Sequence, residues 1–353
     1  MIISYGAEIE KITYETLKAS DIGEYLRADF SVAIKPNLVV PKPASDGATT
    51  HPEVVEGIVR FLKDFRVKNI SIIESSAIGH DTKRAFSECG YEPLKNKFGV
   101  ELIDLKFDAC KKIDYKGMKL EICRRALETD FLINVPVLKA HCQTNLTCNL
   151  KNLKGCIPDG EKRRYHSMGL HKPIAALSAI IKTGYCVVDG ICGDLTFEEG
   201  GNPTYANRII AGRDPVLIDS YCAELIGYRP NEIDYLVLAN KWGAGEFYSP
   251  ETKMKELFAD KKPMHPIKSN RIAARYEQSI THIDACSACY AALIHAMHRM
   301  GGSPDRFFVG HGFSETHKQT CTGIGDCTRD MPKHVPGCPP TATDIINFFE
   351  RNK

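Results

Sequence analysis

The chain has 353 residues, 43% hydrophobic and 25% charged, the proportions of a globular protein that can bury a core without disulfides or metal. Its 46 basic and 44 acidic side chains nearly cancel, giving a net charge of +2, so no long-range field favours DNA or RNA and a nucleic-acid partner is set aside. The opening MIISYGAEIE lacks the basic start and apolar run of a signal peptide, and no stretch reaches the ~18 consecutive apolar residues of a membrane span; the expectation is a cytoplasmic protein with no membrane partner.

Short β-branched runs alternate with longer amphipathic ones, which predicts an α/β fold with a mainly parallel sheet and helices on both faces. In chain order, strands are expected at Ser31–Ile34, Asn69–Glu74, Glu101–Leu105, Phe131–Val135, Tyr185–Val188 and Arg208–Ala211. Helices are expected at Pro52–Phe65, Asp81–Cys89, Pro173–Thr183, Pro215–Ile226 and Asn231–Ala239, the first opened by Thr50, His51 and Pro52. Asp214, just before Pro215, reads as a helix cap, and Asp219 as structural.

The stretch 139–173 is rich in Lys, Arg, Asn and His, with little apolar periodicity; so long a connection inside a compact domain points to function or disorder. Beyond about residue 245 the charged, proline-punctuated SPETKMKELFADKKPMHPIKSN reads as a linker. It divides the chain into an α/β domain, 1–245, and a C-terminal region, 246–353. The latter is expected to contain a helix at Ala285–Met300, a short strand at Arg306–Val309, a cysteine/glycine loop and a helix at Thr341–Arg351.

In a reducing cytosol the 14 cysteines form no disulfide framework, so a clustered subset points to metal or catalysis. Cys89, Cys123, Cys186 and Cys222 fall within regular elements and read as small buried hydrophobes. The C-terminal group is different: CSAC, CTGIGDC and GCPP. Cys286 and Cys289 have the C-x-x-C spacing that lets two thiolates at a helix start serve one centre, where the helix dipole favours negative charge. Cys327 follows a glycine-bearing loop that can bend around a cluster, and Cys338 precedes prolines that stiffen its turn. A 4Fe–4S cluster on Cys286, Cys289, Cys327 and Cys338 is the expectation, with Cys321 as the alternative to Cys327 and a four-thiolate zinc site as the rival.

A second group leaves the end of the FLINV strand, where open α/β sheets place ligand sites. Lys139 and His141 alternate on an extended piece and point the same way. Lys151 and Lys154 share a face if their segment is helical, with Asn152 between them, and Arg163, Arg164 and His166 follow. Such donors suit a carboxylate or phosphate. No GxxxxGK[ST] or GxGxxG motif is present, so no nucleotide is indicated.

In order, IKPNL (34–38), ATTHPEVVEGIV (48–59), INVPVLKAH (133–141), LKNLKG (150–155), VVDGICG (187–193) and AGRDPVLIDSYCAELIG (211–227) resemble the domain-of-unknown-function 362 family. Members of that family often carry a ferredoxin-like iron–sulfur segment; here the ferredoxin C-x-x-C-x-x-C run is absent and CSAC…GCPP stands in its place. The resemblance groups Lys35, Asn37, Glu74, Lys139, His141 and Asp189 at strand ends along one sheet edge. The resulting expectation is an iron–sulfur enzyme, oxidoreductase or lyase/sulfurtransferase, acting on a small anionic substrate. Lys35, Asn37, Lys151, Asn152, Lys154, Asp189 and His166 would bind it, with Lys139, His141 and Glu74 catalytic. The alternative is an electron-transfer or scaffold protein with no substrate of its own. A ferredoxin-like electron partner and a homo-oligomer both fit the sequence.

Overall fold

The computed structural model describes residues 1–196, 200–265, 267–269 and 271–351. The strands are β1 (Ile2–Tyr5), β2 (Ser31–Pro36), β3 (Asn69–Glu74), β4 (Glu101–Asp104), β5 (Cys110–Tyr115), β6 (Met118–Cys123), β7 (Phe131–Val135), β8 (Lys139–His141), β9 (Asn145–Thr147), β10 (Thr183–Asp194), β11 (Pro203–Gly212), β12 (Lys255–Leu257), β13 (Ile280–Ile283), β14 (Arg306–Gly310), β15 (Cys321–Ile324) and β16 (His334–Val335). An eight-stranded sheet runs in the order β12-β1-β11-β10-β7-β2-β3-β4. The pairs from β10 through β7, β2 and β3 to β4 are parallel, and β11 is antiparallel to both its neighbours.

Alternating side chains divide between two apolar cores, as a period of two requires. Ala33, Leu132, Val188 and Ile210 face one core, which the helices His171–Ile180 and Pro215–Leu225 cover. Val32, Ile34, Phe131, Ile133, Val187 and Ile209 face the other, covered by Ile9–Lys18 and Pro52–Asp64. Helices therefore lie on both faces, and the α/β expectation holds.

The C-terminal part is more than a cysteine-rich loop. It forms its own parallel sheet, β13-β14-β15-β16, packed against Ser287–Arg299 and Ala342–Arg351. Two of its strands, β13 and β15, have four residues each and β16 has two, too short for alternation to show in the sequence. The stretch expected as linker also carries structure. β12 hydrogen-bonds in parallel to β1, Ile267 lies in a core of the first unit, and the Ser269 hydroxyl donates to the Leu195 carbonyl. These residues therefore belong to the first unit.

Candidate functional site

Strands β2 and β3 deliver Lys35 and Glu74 side by side at their ends. Both are buried, and Lys35 Nζ donates to Glu74 Oε2 at 2.9 Å and to the Pro36 carbonyl at 2.8 Å. The Glu74 carboxylate also accepts from the amides of Leu38 (3.0 Å) and Ser75 (2.7 Å). Asn152 joins this base: its Oδ1 accepts from Lys35 Nζ at 3.3 Å and its Nδ2 donates to Asn134 Oδ1 at 2.7 Å. Gly155 closes over the pair. A Cβ there would stand 1.9 Å from Glu74 Oε1 and 2.5 Å from Lys35 Nζ, so only glycine lets the backbone pass.

Asn152 and its neighbours are held from below. The short helix Asn149–Asn152 starts on Asp219, whose carboxylate accepts from the amides of Asn149 (2.8 Å) and Leu150 (3.0 Å) and from Asn149 Nδ2 (2.9 Å). Burial dominates the Asp219 titration and pushes its pKa up to about 6 despite those donors. This anchor fixes the turn that carries Lys151, Asn152 and Lys154. Asp214 caps the helix Pro215–Leu225, accepting from Val216 and Leu217.

Lys139 and His141 lie on a hairpin, β8–β9, and face the same side as expected. Lys139 Nζ donates to the Ala48 carbonyl at 2.8 Å. His141 Nδ1 accepts from the amides of Gln143 (3.1 Å) and Thr144 (3.2 Å), so the neutral ring carries its proton on Nε2.

These groups line one cavity of about 230 Å³. Lys35, Asn37, Glu74, Lys139, His141, Lys151, Asn152, Lys154 and His166 all border it. Asp189 does not: it sits within β10, wholly buried, where it accepts from the His51 amide (2.7 Å), His51 Nδ1 (2.8 Å) and the Ile191 amide (3.0 Å). Burial disfavours the His51 cation, but the Asp189 charge and hydrogen bond outweigh it and raise the His51 pKa. Arg164 is turned to Glu161 instead.

The sequence reading missed Lys162, Ser75 and His80 in the lining. Lys162 Nζ donates to the carbonyls of Ser75 (3.0 Å) and Ser76 (2.7 Å), to the Ser75 hydroxyl, and to Asp159 Oδ1 (3.0 Å); its burial lowers its pKa. Its spacing of four from His166 on the helix Asp159–Ser167 could have revealed it.

The far wall comes from the C-terminal unit: Cys286, Ser287, Ala288 and Pro339 border the same cavity. Cys286 is the N-cap of the helix Ser287–Arg299, just after β13. Cys327 lies on the turn after β15, and Cys338 follows β16, so these thiols gather at the carboxyl edge of the parallel sheet. Cys289, one helical turn into the helix, interacts electrostatically with Cys286, Cys327 and Cys338. Its thiol donates to the Cys286 sulfur. That bond, the amides of Ala288 and Cys289, and the nearby Lys154 ammonium overcome burial and bring Cys286 down to about 6. The donor role and burial raise Cys289. Burial and the neighbouring Cys338 and Cys286 raise Cys327. Cys321 is elsewhere: it begins β15, at the opposite edge, and packs with Phe308 and Met331.

Glycines shape the cradle. Gly325 has φ +89°, and a Cβ on it would come within 3.1 Å of Cys289 Sγ and 3.3 Å of the Gly337 carbonyl. Among the described residues no group of three or more His, Cys, Asp or Glu side chains is arranged to hold a metal ion. All 14 cysteines are free thiols. No helix among the described residues is long and apolar enough to cross a membrane.

Fold and site together define an α/β protein whose cation-lined strand-end cavity abuts a set of thiols on a second parallel sheet. The chain belongs to the family described as Domain of unknown function (DUF362), whose match spans residues 32–224, more than half of it. It is 23% identical over 254 residues to the thylakoid-associated protein sll1697 of Synechocystis sp., covering 68% of this chain and 77% of that one. In structure it is similar to the lactate racemase apoprotein of Thermoanaerobacterium thermosaccharolyticum (TM-score 0.45, 14% identity, 64% of this chain) and to a Thermotoga maritima protein (TM-score 0.40, 14% identity, 67% of this chain). The chain spans 57% and 60% of the lengths of those two structures.

Proposed function

We propose that this protein is an iron–sulfur enzyme that binds a small anionic substrate in the strand-end cavity, with a 4Fe–4S cluster held by Cys286, Cys289, Cys327 and Cys338. The observation that carries this reading is that Cys286 and the basic residues Lys139, His141 and Lys154 border one cavity. The donor set fits such a group: the thiols gather at one sheet edge, a glycine backbone runs against Cys289, and the Cys286 thiol is already biased to thiolate. In a cubane each thiolate binds its own iron, so the sulfurs need not converge on one point as they would around zinc.

A cluster held there supplies single electrons when four thiolates bind it, or a Lewis-acidic iron when one position is open. The chain's own residues do the rest. Lys139, Lys151 and Lys154 hold the anion, and Asn37 and Asn152 orient it. His141 presents its Nε2 proton, with the ring fixed by two amides. Glu74, bound by three donors, serves to hold Lys35 rather than to move protons. A reducing, cytoplasmic setting and a separate electron donor belong to the same proposal.

The test is electron paramagnetic resonance of the loaded, reduced protein with and without small carboxylates and phosphates. A substrate site beside the cluster predicts that a bound anion alters the spectrum and that Lys139→Met abolishes the change. The same spectrum at saturating ligand, with activity in the host surviving Lys139→Ala and His141→Ala, would instead establish an electron carrier with no substrate of its own.

A further inference from the structure

The hairpin β5–β6 stands outside the large sheet and sets two thiols opposite one another. Cys110 pairs with Cys123 across the antiparallel ladder, and the chain reverses through Lys116 and Gly117, both at positive φ, between Tyr115 and Met118. The Arg124 amide donates to the Ala109 carbonyl at 2.8 Å, which makes 109 and 124 a hydrogen-bonded pair. Pair types alternate along such a ladder, so Cys110 and Cys123 form a non-hydrogen-bonded pair. In pairs of that kind the Cα atoms lie about 4.5 Å apart and the side chains are closest. That spacing falls within the ~4.4–6.8 Å that a disulfide spans. Both thiols are free, and each acts electrostatically on the other. We propose that Cys110 and Cys123 are a redox pair, closed into a disulfide by exchange with an external disulfide, and that the closed hairpin is a latch on the back wall of the cavity. The latch stands whether or not the cavity binds a substrate.

Cys110 is half-buried and Cys123 wholly buried, so exchange begins at Cys110. Its thiolate attacks one sulfur of the external disulfide, forms a mixed disulfide and releases a first thiol. Cys123 Sγ then attacks the Cys110 sulfur and expels the second. The two protein thiols lose two electrons, the external disulfide gains them, and the two protein protons end on the released thiols. Burial is the largest influence on both thiols and raises both, so closure is slow. The same groups leave slowly when the disulfide is attacked, so reopening is slow as well. Such a pair answers a sustained oxidising load, the usual role of a disulfide in a reducing compartment.

The hairpin bears on the cavity through one helix. The Glu121 amide donates to Glu161 Oε2 at 3.1 Å, and Arg164 Nη2 donates to the Lys119 carbonyl. Glu161 and Arg164 belong to Asp159–Ser167, which also carries Lys162 and His166 of the cavity lining. On its inner side Cys123 neighbours Cys156, which lies beside Lys35 and Glu74 at the cavity base. A cross-link from 110 to 123 closes a ring of 123 − 110 + 1, or 14, residues and stiffens this brace.

The test is incubation of the full-length protein with excess glutathione disulfide, followed by tryptic digestion without reductant and peptide mass spectrometry. Trypsin cuts at Lys116 and Lys119, so a Cys110–Cys123 link joins two separate peptides. The expected result is that link, removed by reductant. Hydrogen exchange of the oxidised protein should slow within 110–123 by on the order of a hundredfold, the effect of closing so small a ring on a locally opened hairpin, and slow measurably within 159–167. Cys110→Ser should abolish both changes. Its half-buried position makes it the variant that folds if Cys123→Ser does not. Glutathione left as a stable adduct on Cys110 overturns the proposal, because Cys123 then fails to resolve it. So does a Cys123–Cys156 link, or no link at an oxidant excess that modifies the exposed Cys338. A Cys110–Cys123 link that leaves exchange in 159–167 unchanged also overturns it, since the hairpin then holds no wall of the cavity.

Discussion

The hydroxyl of Ser287 donates a 2.6 Å hydrogen bond to Oε1 of Gln143, tying the residue next to Cys286 to the tip of the hairpin that carries Lys139 and His141. Gln143 Nε2 returns a 3.3 Å bond to the Ala285 carbonyl, and Cys142 packs against the apolar core of the C-terminal unit. One side chain thus clamps the two walls of the cavity. Gln143→Ala should cost about 1–2 kcal/mol at this contact and loosen the walls rather than unfold either sheet. Hydrogen exchange is the check: faster exchange in 139–147 and 285–289 is expected, and unchanged exchange there would refute the clamp.

The Lys35–Glu74 pair is fully desolvated, so removing one partner strands the other. Glu74→Gln is expected to destabilise the protein by about 3–5 kcal/mol in urea unfolding. Adding Lys35→Met should restore most of that loss, because the buried charge is then gone. A double variant no more stable than the single would mean that the pair is not the source of the cost.

Asp219 gives a pH dependence with a definite sign. Its folded pKa of about 6 lies above the ordinary 3.8, so the native state binds a proton between those values that the unfolded chain does not. Its contribution to stability is therefore greatest below pH 4 and falls as pH rises through that window, by about 2–3 kcal/mol in all. The stability difference between wild type and Asp219→Asn, followed by denaturant unfolding from pH 4 to 7, should shrink in wild type's disfavour by that amount. A difference independent of pH would contradict it.

Cys286 is the thiol primed by its surroundings. In metal-free protein its alkylation by iodoacetamide, followed by peptide mass spectrometry, should show a midpoint near pH 6. Lys154→Met removes the ammonium charge that, beside the hydrogen bonds, lowers it, and should move the midpoint upward. An unshifted midpoint would place Lys154 too far from the thiol to matter.

Much of this was legible in the sequence because it rests on local pattern. Asn69–Glu74 and Phe131–Val135 form strands over the expected residues, since short runs rich in Ile, Leu, Val and Phe suit a parallel strand covered on both faces. Lys139 and His141 share a side because strand geometry alternates. Asp189 was placed with them by the end of its VVD phrase. However, β10 runs on to Asp194, and the carboxylate turns to His51, a partner 138 residues away that no local signal announces. Ser287 and Gln143 were invisible for the same reason: they meet only because two sheets pack together. Cys321 and Cys327 looked interchangeable by spacing. Strand β15 separates them, one at each end, and direction along a strand cannot be read from spacing in so short an element.

The central claim is tested most directly by iron, acid-labile sulfide and zinc analysis of protein purified without oxygen, beside single Cys→Ser variants. The account predicts about four iron and four sulfide per chain with broad visible absorbance. Both should be lost in Cys289→Ser and Cys338→Ser and retained in Cys321→Ser. Colourless protein with stoichiometric zinc, or iron that depends on Cys321 and not on Cys327, would contradict it.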